Sequence, residues 1–198
     1  MPFRYRNIYK RISLAAVIAG LILFFSLVCE AQKTTEWGAH LGIPFGHERL
    51  HEGLKYKPWQ LLLYHKLADL KPRKPGRFIM ALEPQLVWVH FSPKAKKEWE
   101  AGANLVFEYR WPLGSQAMVY AAIGSGPHFI SVHTTQQARG FIFSDNFTAG
   151  FSHRIGKGNT WLDLKCRFRH ISNAGLKEPN LGIDSWFAIA GLRWSWER

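Results

Sequence analysis

Hydrophobic and polar residues alternate with a period of two along most of the chain after residue 31. The segment from Glu98 to Trp111 shows this most clearly. One face of it carries the apolar residues Trp99, Ala101, Ala103, Leu105, Phe107, Tyr109 and Trp111. The other face carries Glu98, Glu100, Gly102, Asn104, Glu108 and Arg110, with Val106 as the exception. This period is that of a β-strand, and the apolar row is long for a half-buried strand of a soluble sheet.

Similar strand patterns occur near residues 35–43, 59–68, 77–91, 118–132, 145–155, 159–172 and 183–196. Long and short connections largely alternate between them, as extracellular loops and periplasmic turns do in outer-membrane barrels. Residues 69–76 are long for a periplasmic turn, and Pro84 is unfavourable within a regular strand. The pattern predicts an all-β fold, an eight-stranded antiparallel transmembrane β-barrel of the outer-membrane type. A soluble β-sandwich is the alternative.

The first 31 residues have the order of a secretory signal peptide. Four basic residues in "MPFRYRNIYKR" precede an almost wholly apolar stretch from Ile12 to Cys29, and "CEA" precedes Gln32. We predict cleavage after Ala31, which leaves residues 32–198 as a single barrel domain. An uncleaved membrane anchor is the alternative, because the apolar stretch is just long enough to span a bilayer. Only Cys166 remains after cleavage, so no internal disulfide is expected.

The formal net charge of +12 favours phosphate-bearing partners, either nucleic acid or anionic lipid head groups. Nine tryptophans suit either a β-rich core or the aromatic girdles of an outer-membrane barrel. Basic residues fall in or beside the predicted surface loops: Lys94, Lys96, Lys97, Arg139 and Lys177. Such residues bind lipid phosphates as point charges, or they simply form a solvated loop surface.

Candidate chemistry lies at the last predicted hairpin. His170 and Ser172 continue the apolar face of the seventh strand, and Asp184 begins the apolar face of the eighth. If these faces contact lipid, all three side chains point outward, at the surface end of the barrel. Residues two apart on a strand lie about 6.6 Å apart, and the neighbouring strand lies about 4.8 Å away. The spacing therefore suits a nucleophilic triad, although a polar strand end that leads into a loop would show the same short pattern.

A triad also needs donors for the developing oxyanion, and Asn173 and the backbone amide of Gly175 are candidates. The inward-facing Glu98, Glu100, Glu108 and Arg110 indicate a structural network that fills a narrow barrel.

The stretch "HISNAGLKEPNLGID" closely resembles the active-site segment of the outer-membrane lipid A 3-O-deacylases, the PagL family. The matching residues are His170, Ser172, Asn173, Ala174, Gly175, Pro179, Asn180, Gly182 and Asp184. The resemblance implies an outer-membrane barrel that hydrolyses the 3-O-linked acyl ester of lipid A. It implies lipid A or lipopolysaccharide as the substrate, no nucleic-acid partner, and neither a metal nor an organic cofactor.

The resemblance also implies a role for each residue. Ser172 is the expected nucleophile, His170 the general base and acid, and Asp184 takes the place of the family's usual glutamate. Asn173 and the Gly175 amide would stabilise the oxyanion, and Asn180 would hold the loop. Two alternatives remain at this point, an ester hydrolase that acts on another membrane lipid and a small barrel without enzymatic activity. The sequence carries no indication of the oligomeric state.

Overall fold

The computed structural model describes residues 34–45, 50, 53, 55–70, 76–92 and 97–197. These residues form nine strands: β1 (Thr34–Phe45), β2 (Lys55–Asp69), β3 (Arg77–Ser92), β4 (Lys97–Pro112), β5 (Ala117–Ser125), β6 (Pro127–Ile130), β7 (Gly140–Ile155), β8 (Thr160–Ser172) and β9 (Ile183–Glu197). Within this part of the chain, no helix has the length and apolar character needed to cross a membrane. The predicted signal peptide, Lys94 and Lys96 lie outside the described residues.

The strands close into a ring of antiparallel pairs, and β1 pairs with β9 along its whole length. Both β5 and β6 lie between β4 and β7, so they are two segments of one position in the ring. They are separated at Gly126, where the carbonyl oxygen of Ala103 leaves no space for a side chain. The ring therefore has eight positions, which confirms the predicted eight-stranded antiparallel barrel.

The strands differ from the prediction at two starting points and from regular pairing at one position. β2 and β7 begin four and five residues earlier than the alternation predicts, at residues 55 and 140. Pro84 lies inside β3, and the pairing of β2 with β3 is interrupted beside it, between the pairs Leu62–Gln85 and His65–Leu82. The interruption follows from the missing N–H donor of proline.

The outer surface of the barrel is apolar. On β4, Trp99 and Trp111 are 46% and 44% exposed, whereas Glu100, Glu108 and Arg110 are buried inside the barrel. The alternation of side chains therefore predicts correctly which face of β4 points outward. On β8 and β9, buried and exposed side chains alternate in the same way. A continuous apolar surface with large aromatic side chains is typical of a wall that contacts lipid.

Charged side chains fill the middle of the barrel. Arg193 donates from Nε to Asp163 at 2.9 Å, and its Nη1 lies 2.8 Å from Glu108. Arg169 donates from Nη1 to Glu100 at 2.9 Å, and both side chains are fully buried. Because each buried charge faces an opposite charge, the network is compatible with a water-poor interior. Glu100 and Glu108 of β4 thus take part in structural ion pairs, and Glu98 accepts a hydrogen bond from the hydroxyl of Ser131.

The two ends of the barrel differ. We call the end that carries residues 131–139 and 173–182 the loop end, and the end that carries residues 113–116 and 156–159 the turn end. Inside the loop end, apolar side chains form a cluster: Leu50, Tyr56, Val87, Val89, Phe91, Ile130, Val132, Ile142, Ile171 and Ile183. This cluster packs behind the part of the wall where β8 ends and β9 begins.

Candidate active site

His170 and Asp184 form a pair on the outside of the barrel at the loop end. They are direct cross-strand partners on β8 and β9. The neighbours Arg169 and Ile171 are buried inside the barrel. Since side chains alternate along a strand, the side chain of His170 points outward. Nδ1 of His170 lies 2.6 Å from Oδ1 of Asp184, and the two side chains are 37% and 55% exposed. The structure therefore brings together the predicted base and the predicted acid of the triad.

Ser172 is the last residue of β8 and shares the outward face of His170. It is partly exposed and pairs with Phe143 of β7. Among the described residues, no hydrogen bond connects Ser172 with His170. Their Cα atoms are two residues apart on a strand, about 6.6 Å, and catalytic hydrogen bonds often tighten only when substrate binds. Ser172 therefore lies on the same face as His170, and the described residues show no hydrogen bond between its hydroxyl and the imidazole.

Two asparagines hold the loop between β8 and β9. The backbone N–H of Asn173 donates to Asn180 Oδ1 at 2.7 Å. The side chain of Asn173 is buried, donates from Nδ2 to the carbonyl of Lys177 at 2.6 Å, and accepts from the N–H of Lys177 at 3.4 Å. Asn180 therefore holds the start of the loop in place through this hydrogen bond. Asn173, the predicted oxyanion donor, uses one of its two amide hydrogens within the loop.

A tight turn follows β8 directly. Ala174 and Gly175 have φ values of 53° and 75°, and the N–H of Leu176 donates to the carbonyl of Asn173 at 3.1 Å. Two successive left-handed residues inside such a bonded turn are typical of type I′. A Cβ at Gly175 would meet no atom within 4 Å, so backbone conformation rather than crowding favours glycine there. The turn places the Gly175 amide at the exposed surface, three residues beyond Ser172.

Gly182 packs against the imidazole of His170. Its φ is +78°, and a Cβ built on it would lie 2.9 Å from Nε2 of His170, closer still to Cε1, and 3.1 Å from the carbonyl oxygen of Ile171. Any side chain at this position would therefore displace the imidazole. The resemblance includes Gly182 among the matching residues but implies no role for it. In the sequence, the signal that could identify Gly182 is its position two residues before Asp184.

The loop of residues 131–139 is hydrogen-bonded to the loop of residues 173–182. The N–H of Ala138 donates to the carbonyl of Pro179 at 2.8 Å, and the N–H of Leu181 donates to the carbonyl of Gln136 at 2.7 Å. The alternation predicts only a long connection over residues 133–143. Contact between two loops that are distant in the chain leaves no local pattern, so the sequence does not reveal this support.

Basic residues surround the loop end. Lys97, Arg139 and Lys177 are exposed there, at the start of β4 and in the two loops. Within the described part of the chain, no group of three or more His, Cys, Asp or Glu side chains is arranged to hold a metal ion. The groups that the structure brings together at the loop end are an imidazole, a carboxylate, a hydroxyl and loop amides, a set that suits acyl transfer.

A family model described as lipid A 3-O-deacylase (PagL) matches residues 59–193, which include all of these groups. The chain belongs to the PagL family. The chain is also 35% identical over 103 residues to a curated relative, the lipid A deacylase PagL of Bordetella bronchiseptica. That alignment covers 49% of this chain and 51% of the relative, so the match spans about half the length of the relative.

Solved structures share the fold of this PagL-family chain. The outer membrane enzyme PagL superposes with a TM-score of 0.58 at 19% identity, over 79% of this chain and 97% of that one. Neisserial surface protein A gives 0.51 at 16% identity, over 81% and 95%. OprG from Pseudomonas aeruginosa gives 0.50 at 11% identity, over 85% and 97%. The fold is thus that of small outer-membrane β-barrels, as the sequence predicts.

Proposed function

We propose that this protein is an outer-membrane serine esterase that removes the 3-O-linked acyl chain from lipid A. The observation that carries the proposal is the outward-facing pair of His170 and Asp184, with Ser172 on the same lipid-facing wall. Family membership and the lipid A deacylase of Bordetella bronchiseptica support the choice of substrate. Among the described residues, buried ion pairs occupy the middle of the barrel interior, which disfavours a lipid there.

The proposed reaction begins at Ser172. The Nδ1–H tautomer of His170 donates to Asp184 and leaves Nε2 free as the general base. Nε2 removes the hydroxyl proton while the Ser172 oxygen attacks the ester carbonyl carbon. The protonated imidazole then gives this proton to the 3-oxygen of the sugar, which leaves as an alcohol. Water, activated by the same imidazole, hydrolyses the acyl-enzyme and releases the fatty acid.

The oxyanion formed in each step needs donors at the loop end. The Gly175 N–H lies in the exposed turn, and the buried Asn173 amide retains a second hydrogen beside its bond to Lys177. Donors held in advance by a structured loop stabilise developing charge without reorganisation. We assign the two groups to this role.

The placement of the site suits a substrate in the outer leaflet. Polar groups on the lipid face are least costly near the membrane interface, at about 0–1 kcal/mol for a charged side chain. Exposed Lys97, Arg139 and Lys177 lie at the same end of the barrel, where they can bind the phosphates of the lipid A head group. We therefore assign the loop end to the cell surface.

A comparison of lipids tests the substrate. The full-length protein in detergent micelles is incubated with lipid A or with a glycerophospholipid, and the products are measured by mass spectrometry. We expect lipid A to lose one hydroxyacyl group and the phospholipid to remain intact. Hydrolysis of the phospholipid alone would identify an esterase for another membrane lipid. No hydrolysis by a barrel that migrates on gels as folded would indicate a non-enzymatic barrel.

A further inference from the structure

A polar cavity of about 290 Å³ lies inside the mouth of the barrel at the turn end, opposite to the end that carries the candidate active site. Among the described residues, the basic side chains that line it are Lys66, Arg77, Arg110, Arg154 and Arg193. The carboxylates that line it are those of Glu36 and Asp69. Basic side chains therefore outnumber acidic ones at this mouth, and the proposed deacylation uses none of them.

Both carboxylates of the cavity are already paired with buried cations. Arg110 donates from Nη1 and Nη2 to the two carboxylate oxygens of Glu36, each at 2.7 Å. Lys66 donates from Nζ to Oδ2 of Asp69 at 3.0 Å. A buried cation and its carboxylate neutralise each other, so neither acid remains to neutralise a further cation.

Arg154 of β7 lacks a carboxylate partner among the described residues. Its guanidinium lies over the ring of Trp161, with 5.0 Å between Cζ and the ring centroid. Its backbone N–H donates to the carbonyl of Gln116 at 2.8 Å and fixes the strand there. Its Nε is buried and makes no hydrogen bond with the described part of the chain. A buried donor without an acceptor is unfavourable, so this position favours an acceptor that a ligand supplies.

Arg77, at the start of β3, is the second cation with donors to spare. Its Nε lies 3.9 Å from Oδ1 of Asp69, which is beyond hydrogen-bond distance. Among the described residues, no hydrogen bond uses its guanidinium. Asn159 and Ser195 add an amide and a hydroxyl group to the same lining. The cavity thus offers two guanidinium groups and neutral donors to a single anion.

The chemistry of this lining fits a phosphate group. A guanidinium donates two parallel N–H bonds to phosphate oxygens. A phosphate monoester carries about 1.5 to 2 negative charges at pH 7, which matches the combined charge of Arg77 and Arg154. The cavity has the volume of roughly ten water molecules, enough for the phosphate and part of an organic substituent. Pro112 and Met118 offer apolar contacts to that substituent.

We propose that the turn-end cavity binds inorganic phosphate or a phosphate monoester, and that Arg154 and Arg77 bind its oxygens. In the orientation proposed above, the cavity opens toward the periplasm. The same phosphate chemistry is available in solution and on the head group of phosphatidic acid. Because only the folded barrel forms the cavity, a bound phosphate stabilises the folded state. The inference does not depend on the reaction at Ser172.

Calorimetry with inorganic phosphate tests the site. The full-length protein, in a maltoside detergent that carries no phosphate, is titrated with sodium phosphate while sodium chloride keeps the ionic strength constant. We expect saturable binding to the wild type. In Arg154→Gln we expect binding to weaken by roughly 10-fold or more, because charge-assisted hydrogen bonds are lost.

Two further variants separate binding from folding and from net charge. Arg77→Gln changes a side chain that is 61% exposed, so it should weaken phosphate binding without disturbing the packed interior. Lys157→Gln is the matched control. Lys157 is exposed in the turn of residues 156–159 and does not line the cavity, so this variant loses the same charge and should bind phosphate as the wild type does.

A second measurement distinguishes a soluble anion from a lipid head group. The denaturant midpoint of unfolding is measured in phosphatidylcholine vesicles, either alone, with inorganic phosphate, or with phosphatidic acid in the bilayer. A rise with inorganic phosphate would assign the site to a soluble anion, and a rise with phosphatidic acid alone would assign it to a lipid phosphate. Either rise should vanish in Arg154→Gln and persist in Lys157→Gln.

Two results would overturn the inference. One is an affinity and a midpoint shift in folded Arg154→Gln that equal those of the wild type. The other is a folded wild type that responds neither to inorganic phosphate nor to phosphatidic acid. The proposed function would stand in both cases, because hydrolysis of lipid A is measured separately.

Discussion

The imidazole of His170 and the carboxylate of Asp184 face each other across β8 and β9, with Nδ1 2.6 Å from Oδ1. Their contact depends on the register of the two strands, because a slip of one residue would turn one side chain into the barrel. The inward neighbours fix that register. Ile171 pairs with Ile183 inside the apolar cluster, and Arg169 is anchored by Glu100. The packed interior thus positions a site on the exterior.

The triad residues should differ in their effects on turnover. Ser172→Ala and His170→Ala remove the nucleophile and the base, so each should lower kcat on lipid A by roughly 10³-fold or more. Asp184→Asn should keep the strand pairing but lose the charge that orients His170. Initial rates in micelles measure these effects, with gel migration as the check on folding. A Ser172→Ala variant with wild-type turnover would rule out this nucleophile.

Gly182→Ala should strongly lower the turnover of lipid A by displacing the imidazole of His170. The added methyl group has no space beside Nε2, and a shift of about 1 Å in a catalytic group costs on the order of 10²-fold in rate. Gly156→Ala is the matched control, since Gly156 also has a positive φ of +64° but a Cβ there meets no atom within 4 Å. Equal losses of kcat in the two variants would show that backbone strain, not contact with His170, is responsible.

Asn180→Ala should loosen the loop of residues 173–182 and leave the barrel folded. The substitution removes the acceptor of the Asn173 N–H, and a lost hydrogen bond of this kind typically costs about 1–3 kcal/mol. We expect faster proteolysis within residues 173–182 and a lower kcat. Asn159→Ala in the turn at the opposite end should change neither quantity. An intact, protease-resistant loop in Asn180→Ala would contradict the assigned role.

Glu100→Ala should strongly destabilise the barrel. The substitution leaves the fully buried guanidinium of Arg169 without its carboxylate, and a broken buried ion pair typically lowers the free energy of unfolding by about 3–5 kcal/mol. Denaturant titration in lipid vesicles measures this change. Glu178→Ala, at an exposed loop position, should change the free energy of unfolding by no more than about 0.5 kcal/mol.

The fold was predictable because side-chain period and barrel geometry are local properties. Alternation on β4 predicts both the strand and its outward face, and the number of such segments predicts a closed ring. The division of one strand at Gly126 was not predictable, since it depends on the carbonyl of Ala103 from the neighbouring strand. The early start of β7 likewise depends on its pairing with β6.

The site was predictable only in part. Parity along β8 and β9 places His170, Ser172 and Asp184 on one outer face, and the structure adds the contact between His170 and Asp184. The packing of Gly182 against His170 and the support from residues 131–139 both depend on contacts between separate parts of the chain. No spacing within the sequence encodes them.

The position of the acyl group that lipid A loses tests the proposed reaction at Ser172 most directly. Lipid A is incubated with the folded wild-type protein or with Ser172→Ala, and tandem mass spectrometry locates the missing group. We expect loss of the hydroxyacyl chain at the 3-position with the wild type alone. Loss from another position, equal loss with Ser172→Ala, or unchanged lipid A with both proteins would contradict it.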